Sequence, residues 1–191
     1  MHRILPTRRS WPLHGVALSR VIEQRATADL PPHTLMRRAG LGIARLAIAV
    51  APHAERVWVA AGPGNNGGDG LDAAIRLHTA GKDVTVTLMG DPADLPDDAR
   101  DALQRAQAAG LAINTAGAPE LAPSDLAIDA LLGLGAARAP EGTLADAIAQ
   151  LNRLPCPVLA VDLPSGLHGL TGQPHGAACV RATHTLSLLT L

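Results

Sequence analysis

Val57-Trp58-Val59-Ala60-Ala61-Gly62-Pro63-Gly64-Asn65-Asn66-Gly67-Gly68-Asp69-Gly70 is where the chain changes its period. The first five residues are apolar with no polar alternation, the pattern of a strand buried on both faces. Five glycines then fall within nine residues, 62–70, freeing the backbone to bend and to approach a ligand closely. Helical spacing returns over 69–80, with Leu71, Ala74, Ile75 and His78 on one side and Gly81 as the stop. The loop therefore delivers the chain into a helix N-terminus, whose unpaired N–H groups and positive dipole end suit a phosphate. Gly62, Gly64 and Gly67 satisfy the G-x-G-x-x-G spacing, and Asp91 stands where a ribose ligand would, about twenty residues on. In purely structural terms the same residues make a glycine-rich turn with Asp69 as helix N-cap, and the two readings are compatible. Asn65, Asn66 and Asp69 go further, because amide and carboxylate oxygens suit a cation or hydroxyls better than bare pyrophosphate.

The alternation continues downstream. Strands are expected over 84–89, 111–115, 125–132, 158–163 and 184–189. Helices are expected over 97–109, opened by Pro96 and closed by Gly110, and around Leu144, Ala147, Ile148 and Leu151. Upstream the period is helical over 16–28 and 32–50; Met36, Ala39, Ile43, Leu46 and Val50 form one apolar stripe in the second segment. Apolar strands separated by helices imply a parallel sheet covered on both faces. The fold expected is α/β, a three-layer α/β/α Rossmann-like arrangement with a mainly parallel sheet and N-terminal helices. In such folds ligands sit beyond the carboxyl ends of the strands, so function is to be read from the residues just past each strand.

Composition bounds the rest. A chain of 191 residues fits one domain able to bury its own core. Sixteen basic residues against 17 acidic give a net charge of −1, without the basic footprint of a dedicated nucleic-acid binder. Phe and Tyr are absent and Trp occurs twice, which removes the usual stacking platforms for single strands. No segment reaches the ~18 consecutive apolar residues of a membrane span. Two cysteines, Cys156 and Cys179, make neither a disulfide framework nor a CxxC zinc pair and favour a reducing, cytoplasmic compartment. Lys82 is the only lysine, so Schiff-base chemistry would depend on its placement alone. Thr7-Arg8-Arg9-Ser10-Trp11 superficially resembles a twin-arginine export signal, but Arg20, Glu23 and Arg25 break the apolar stretch that should succeed it.

Three further strand ends carry oxygen. Asp129 lies inside the apolar run 126–132, where a carboxylate is costly unless it is paired, hydrogen-bonded or bound to metal. Gly133 and Gly135 come next as a second flexible rim, with Arg138 near enough to meet an anion. Asp162 leaves the next strand, Pro164 fixes the turn, and Ser165 offers a hydroxyl. Asn66, Asp129, Asp162 and Ser165 are all hard-oxygen donors with no His or Cys at ligand spacing among them. Such a set disfavours zinc and favours an alkali or alkaline-earth cation. His168 and His175 lack the i, i+4 spacing of metal ligands and read as surface-loop residues.

Taken in order, Asn65-Asn66-Gly67-Gly68-Asp69-Gly70, Asp129-Ala130-Leu131-Leu132-Gly133 with Gly135, and Val161-Asp162-Leu163-Pro164-Ser165-Gly166-Leu167 resemble the YjeF N-terminal domain family, the NAD(P)H-hydrate epimerases. Leu35-Met36-Arg37-Arg38-Ala39-Gly40 resembles the family's opening motif, with Arg37 where the family usually shows a glutamate. The likeness runs from about Leu13 to the last residue.

The resemblance implies epimerisation of the R and S hydrates of NADH and NADPH (NADHX and NADPHX), so that an ATP- or ADP-dependent dehydratase, fused or separate, can repair the S form. It implies substrate binding by Asn65, Asn66, Gly67, Gly68 and Asp69, by Gly133, Leu134, Gly135, Ala136, Ala137, Arg138 and Ala139, and by Asp162. It implies potassium held by Asn66, Asp129 and Ser165. Epimerisation by either loss and return of the hydroxyl or ring opening needs a general acid–base group within hydrogen-bond reach, and Asp162 is the candidate for it. Family members are commonly homodimers. They also continue past the strand matching 184–189, so a single epimerase domain over 1–191, truncated at its C-terminus, is expected, with a bare terminal strand prone to edge association. A catalytically silent scaffold, like the eukaryotic relatives of mRNA decapping, is the alternative, against which Asp129, Asp162 and Ser165 speak. An ordinary dehydrogenase is the other rival, and it would bind unhydrated NAD without potassium.

Overall fold

Two helices, α1 (Val16–Thr27) and α2 (Thr34–Val50), precede a regular alternation of strand and helix. The computed structural model describes residues 14–115 and 117–188; the twin-arginine-like segment lies outside them. The alternation runs β1 (Arg56–Ala61), α3 (Asn65–Thr79), β2 (Asp83–Leu88), a 3₁₀ turn (Pro92–Asp94), α4 (Asp97–Ala108) and β3 (Ala112–Asn114). It continues with β4 (Leu126–Ala130), α5 (Gly142–Leu151), β5 (Val158–Val161) and β6 (His184–Leu186).

The six strands form one sheet in the order β3-β2-β1-β4-β5-β6, and every neighbouring pair is parallel. Succession outward from β1 reverses between β1 and β4, which makes their carboxyl ends the switch point of the sheet. β1 and β4 are in register with Ala60 opposite Asp129, and β4 and β5 with Asp129 opposite Ala160. Both β1 and β4 are buried along nearly their whole length, as their unbroken apolar runs require.

Side chains alternate between two cores. Val57, Val59, Ile128 and Leu159 pack under α2, α3 and α4 with Met36, Ile43, Leu71 and Leu103. Trp58, Ala60, Ala127 and Val158 face α5 with Ile148 and Leu151. The buried stripe of α2 is Met36, Gly40, Ile43, Ala44 and Ala47, with Leu46 half-buried against the same core, so the expected stripe holds at Met36, Ile43 and Leu46 and shifts elsewhere. With so few aromatics, Trp58 fills much of the second core; its indole N–H donates to Thr87 Oγ1 at 2.9 Å, which satisfies its polar edge.

The largest departure from the sequence expectation lies at the start of α3. The helix begins at Asn65, four residues early, so Asp69 sits inside it and Gly64 occupies the N-cap position. The glycines there serve close packing. A Cβ at Gly67 would stand 2.0 Å from the Gly62 carbonyl oxygen, and one at Gly70 2.6 Å from Ala130 Cβ. The helix lies so near the sheet that only hydrogen fits, and tertiary contact overrides glycine's poor helix propensity. The strands expected over 125–132, 158–163 and 184–189 end sooner, at Ala130, Val161 and Leu186. Beyond β4 and β5 the last expected residues turn away and build a rim at the carboxyl edge of the sheet. Lys82 is tied at the amino side, its ammonium donating to the carbonyls of Pro52 and Ala54, away from that rim. Both cysteines are free thiols.

Candidate functional site

Three segments meet at the carboxyl edge of β1, β4 and β5. The first is the start of α3. Gly64 is extended and supplies no side-chain cap, and no acidic residue lies in the first turn, so no side chain of the helix caps its first N–H groups. The three fingerprint glycines divide their work. Gly62 abuts the Leu131 carbonyl and Gly67 the Gly62 carbonyl, whereas nothing lies within 4 Å of a Cβ at Gly64. That open face is where a ligand can approach the backbone. Asp91 accepts from the Ala93 N–H at 2.8 Å and caps the 3₁₀ turn after β2.

Asp129 anchors the second segment. It is fully buried, and its carboxylate accepts the Ser165 hydroxyl at 2.6 Å, the Ser165 N–H at 2.8 Å and the Leu131 N–H at 3.3 Å. Burial pushes its carboxyl up to about 6, against the pull of those hydrogen bonds toward ionisation. Ser165 Oγ in turn accepts the Leu132 N–H at 2.9 Å, so the hydroxyl links the loops after β4 and β5. Gly166 is left-handed at φ 91° and passes so close to Ala178 that a Cβ would meet that carbonyl at 2.2 Å.

Asp162 forms the third. It is one of two non-glycine residues with positive φ among the described residues, at 66°, a conformation that aspartate tolerates at modest cost. The turn is fixed by its own N–H donating to the Leu186 carbonyl at 2.7 Å. Its Oδ2 accepts the Leu134 N–H at 2.8 Å. A Cβ placed at Gly133 would lie 2.8 Å from Asp162 Oδ2 and 3.4 Å from Asn66 Oδ1, so the missing side chain lets these two residues flank one point. Asn66 stands out at this edge: both its amide oxygen and nitrogen are buried without a hydrogen-bond partner, as are single nitrogens of Arg105 and His175 elsewhere among the described residues. An orphaned buried amide is costly unless a ligand completes it.

The structure thus joins Asp129 to Ser165 directly, and Asn66 to Asp162 across Gly133; the segment 130–134 connects the two pairs, and Asn66 itself bonds to neither Asp129 nor Ser165. Asp69, expected as a cap, instead stands in the second turn of α3. Burial raises its carboxyl well above the usual range, and the charges of Asp162, Glu23, Asp72 and Asp98 push the same way. Arg138 is exposed on the loop 133–139. His168 and His175 are half-buried loop residues whose rings lie 4.8 Å apart and tilted by 39°, and His168 Nδ1 accepts the Leu170 N–H. Among the described residues no three His, Cys, Asp or Glu side chains gather as a metal cluster. A cavity of about 390 Å³ lies elsewhere, between α2, α3 and α4, where Asp72 ties Arg76 and Arg105 in ion pairs of 2.7 and 2.6 Å. Arg105 also holds Asp101 at 2.7 Å, while its Nη2 is buried without a hydrogen-bond partner.

A parallel three-layer protein with glycine-loop and carboxylate groups gathered at its switch point is a Rossmann-like domain, a class whose ligands sit beyond the carboxyl edge of the sheet. Residues 32–191 match the family model described as YjeF-related protein N-terminus, and the chain belongs to that family. The NAD(P)H-hydrate epimerase of Bordetella pertussis is 45% identical over 176 residues, covering 91% of this chain and 74% of the relative. A protein of Thermofilum pendens named bifunctional NAD(P)H-hydrate repair enzyme is 39% identical over 160 residues, 80% of this chain but 30% of that longer relative. A crystal structure of the yeast protein YNL200c superposes with a TM-score of 0.80, covering 94% of this chain and 81% of that one at 19% identity, a likeness of fold.

Proposed function

We propose that this chain interconverts the R and S hydrates of NADH and NADPH at the carboxyl edge of its sheet. The observation that carries the proposal is the cluster around Gly133, where the Asp162 carboxylate and the buried, unpartnered Asn66 amide crowd the same glycine beside the first turn of α3. The names of the epimerase relatives supply the substrate class.

Epimerising a carbon that bears a hydroxyl beside a ring nitrogen proceeds by loss and return of that hydroxyl or by opening and reclosing of the ring. Either route moves a proton at the hydroxyl oxygen. Asp162 is the group for it: half-buried, fixed by a strained turn, with one carboxylate oxygen held by the Leu134 N–H and the other free among the described residues. The backbone of residues 64–69 and of the loop 133–139 receives the rest of the dinucleotide, and Arg138 meets its negative charge.

The donor set fits a monovalent cation. Asn66 Oδ1 is an unused buried oxygen, and Asp129 is a buried carboxyl with no cationic side chain against it. Asn66, Asp129 and Ser165 would hold potassium, which supplies positive charge and fixes the two loops relative to α3. The S hydrate made here is the form that an ATP- or ADP-dependent dehydratase, fused or separate, would consume in the cytoplasm.

The test tracks the two epimers by chromatography after adding the protein to one of them in potassium buffer, and again with tetramethylammonium in place of potassium. Conversion well above the blank in potassium, and a fall of tenfold or more without it, is expected; equal rates in both buffers would remove the cation from the account.

A further inference from the structure

Helix α1 lies across the candidate site while burying none of its own residues. Three places define its position. Gly15, at its N-cap, meets Leu170 of the loop after β5, 3.1 Å from where a side chain would leave the glycine. One turn on, Arg20 Nη2 lies 3.8 Å from the corresponding point of Gly135, in the loop after β4. Farther along, the charge of Glu23 is felt at Asp69, in the second turn of α3. The helix therefore touches the loops after β4 and β5 and faces the start of α3, the same three segments that build the site.

Charge makes one of these residues stand out. Asp69 and Asp162 stand near the edge with Asp129 buried behind them, Glu23 acts on Asp69, and a dinucleotide diphosphate brings two more negative charges. Such a ligand needs cations placed where it enters. Arg138 is one. Arg20 is exposed, makes no ion pair or hydrogen bond among the described residues, and leans over the glycine loop where backbone and ligand approach.

We propose that Arg20 contacts the diphosphate of the bound dinucleotide, making α1 a wall of the binding site rather than a lead-in to the domain. Arg20 is a specificity-determining contact, remote from the atoms that react. The proposal rests on the dinucleotide reading of the site, but its test needs no epimerisation. The probe is NADH, titrated by its fluorescence into the wild-type chain and into Arg20→Gln, Arg20→Lys and Arg25→Gln, the last removing a charge from the same helix one turn beyond. Arg20→Gln should bind NADH five- to twentyfold more weakly, Arg20→Lys should recover part of the loss, and Arg25→Gln should stay within twofold of wild type. Reduced nicotinamide riboside, which has no phosphate, should bind wild type and Arg20→Gln equally. Equal NADH affinity in wild type and Arg20→Gln, an equal loss in Arg25→Gln, or no NADH binding by the wild type would each overturn the proposal. Wild-type protein that binds NADH through Arg20 yet leaves the hydrate epimers unchanged would instead refute the epimerase reading and leave the contact standing.

Discussion

Asp129 is the residue on which the rim pivots. With no partner but Ser165 and the Leu131 N–H, its carboxyl is pushed by burial up to about 6 from an ordinary 3.8. Between those values the folded chain binds more protons than the unfolded one, so stability falls as pH rises from about 4 to 6 and stays lower above that. The penalty for ionised Asp129 comes to about 3 kcal/mol at neutral pH. Melting curves of wild type and Asp129→Asn in potassium-free buffer should therefore converge or cross over that window, the wild type losing ground as pH rises. Potassium added at pH 7.5 should restore wild-type stability and leave the variant unmoved. A wild-type pH profile parallel to that of Asp129→Asn would show that Asp129 is ionised without penalty. Asp129 and Ser165 were legible in the sequence as oxygen donors at strand ends. Their mutual bond was not, because nothing in either motif tells how far each strand runs before its loop turns back.

At the scale of the element, α3 shows what glycine spacing does and does not reveal. Five glycines in nine residues announced a bend, but the close approach they make is of the helix to the sheet, and they concealed its first turn. Helix propensity argues against Gly67, Gly68 and Gly70 as helical residues. Packing against Gly62, Met36, Ala99 and Ala130 requires them. Substitution separates the two roles. Gly67→Ala drives a methyl group into the Gly62 carbonyl and should cost several kcal/mol, enough to lower the melting temperature by about 10 °C or more. Gly64→Ala meets open space at an ordinary extended φ, so its melting temperature should stay within about 3 °C while the ligand's approach is crowded and affinity drops. Calorimetry on the two variants with a nucleotide titration checks both; a Gly64→Ala protein as tight as wild type would mean that the ligand passes elsewhere. Helix α1 was legible as a helix, but its place over the rim was not. It buries no residue that a periodic stripe could announce.

For the whole molecule, sheet composition was the dependable signal. Unbroken apolar strands between helices predicted a parallel three-layer fold, and the all-parallel order β3-β2-β1-β4-β5-β6 agrees with it. That order sets the carboxyl ends of β1, β4 and β5 side by side, which is why residues nearly a hundred positions apart, Asn66 and Asp162, flank the same glycine. The proposed chemistry turns on one mobile proton beside a held dinucleotide, and Asp162 is the group proposed to carry it. Asparagine tolerates the same left-handed backbone, so Asp162→Asn removes the charge while preserving the turn. The direct measurement is the rate at which a single pure epimer of hydrated NADH relaxes to the mixture in potassium buffer, with wild type and with Asp162→Asn of matching circular dichroism. The account predicts fast relaxation by the wild type and a blank-like rate for the variant; an Asp162→Asn protein as fast as wild type would contradict it.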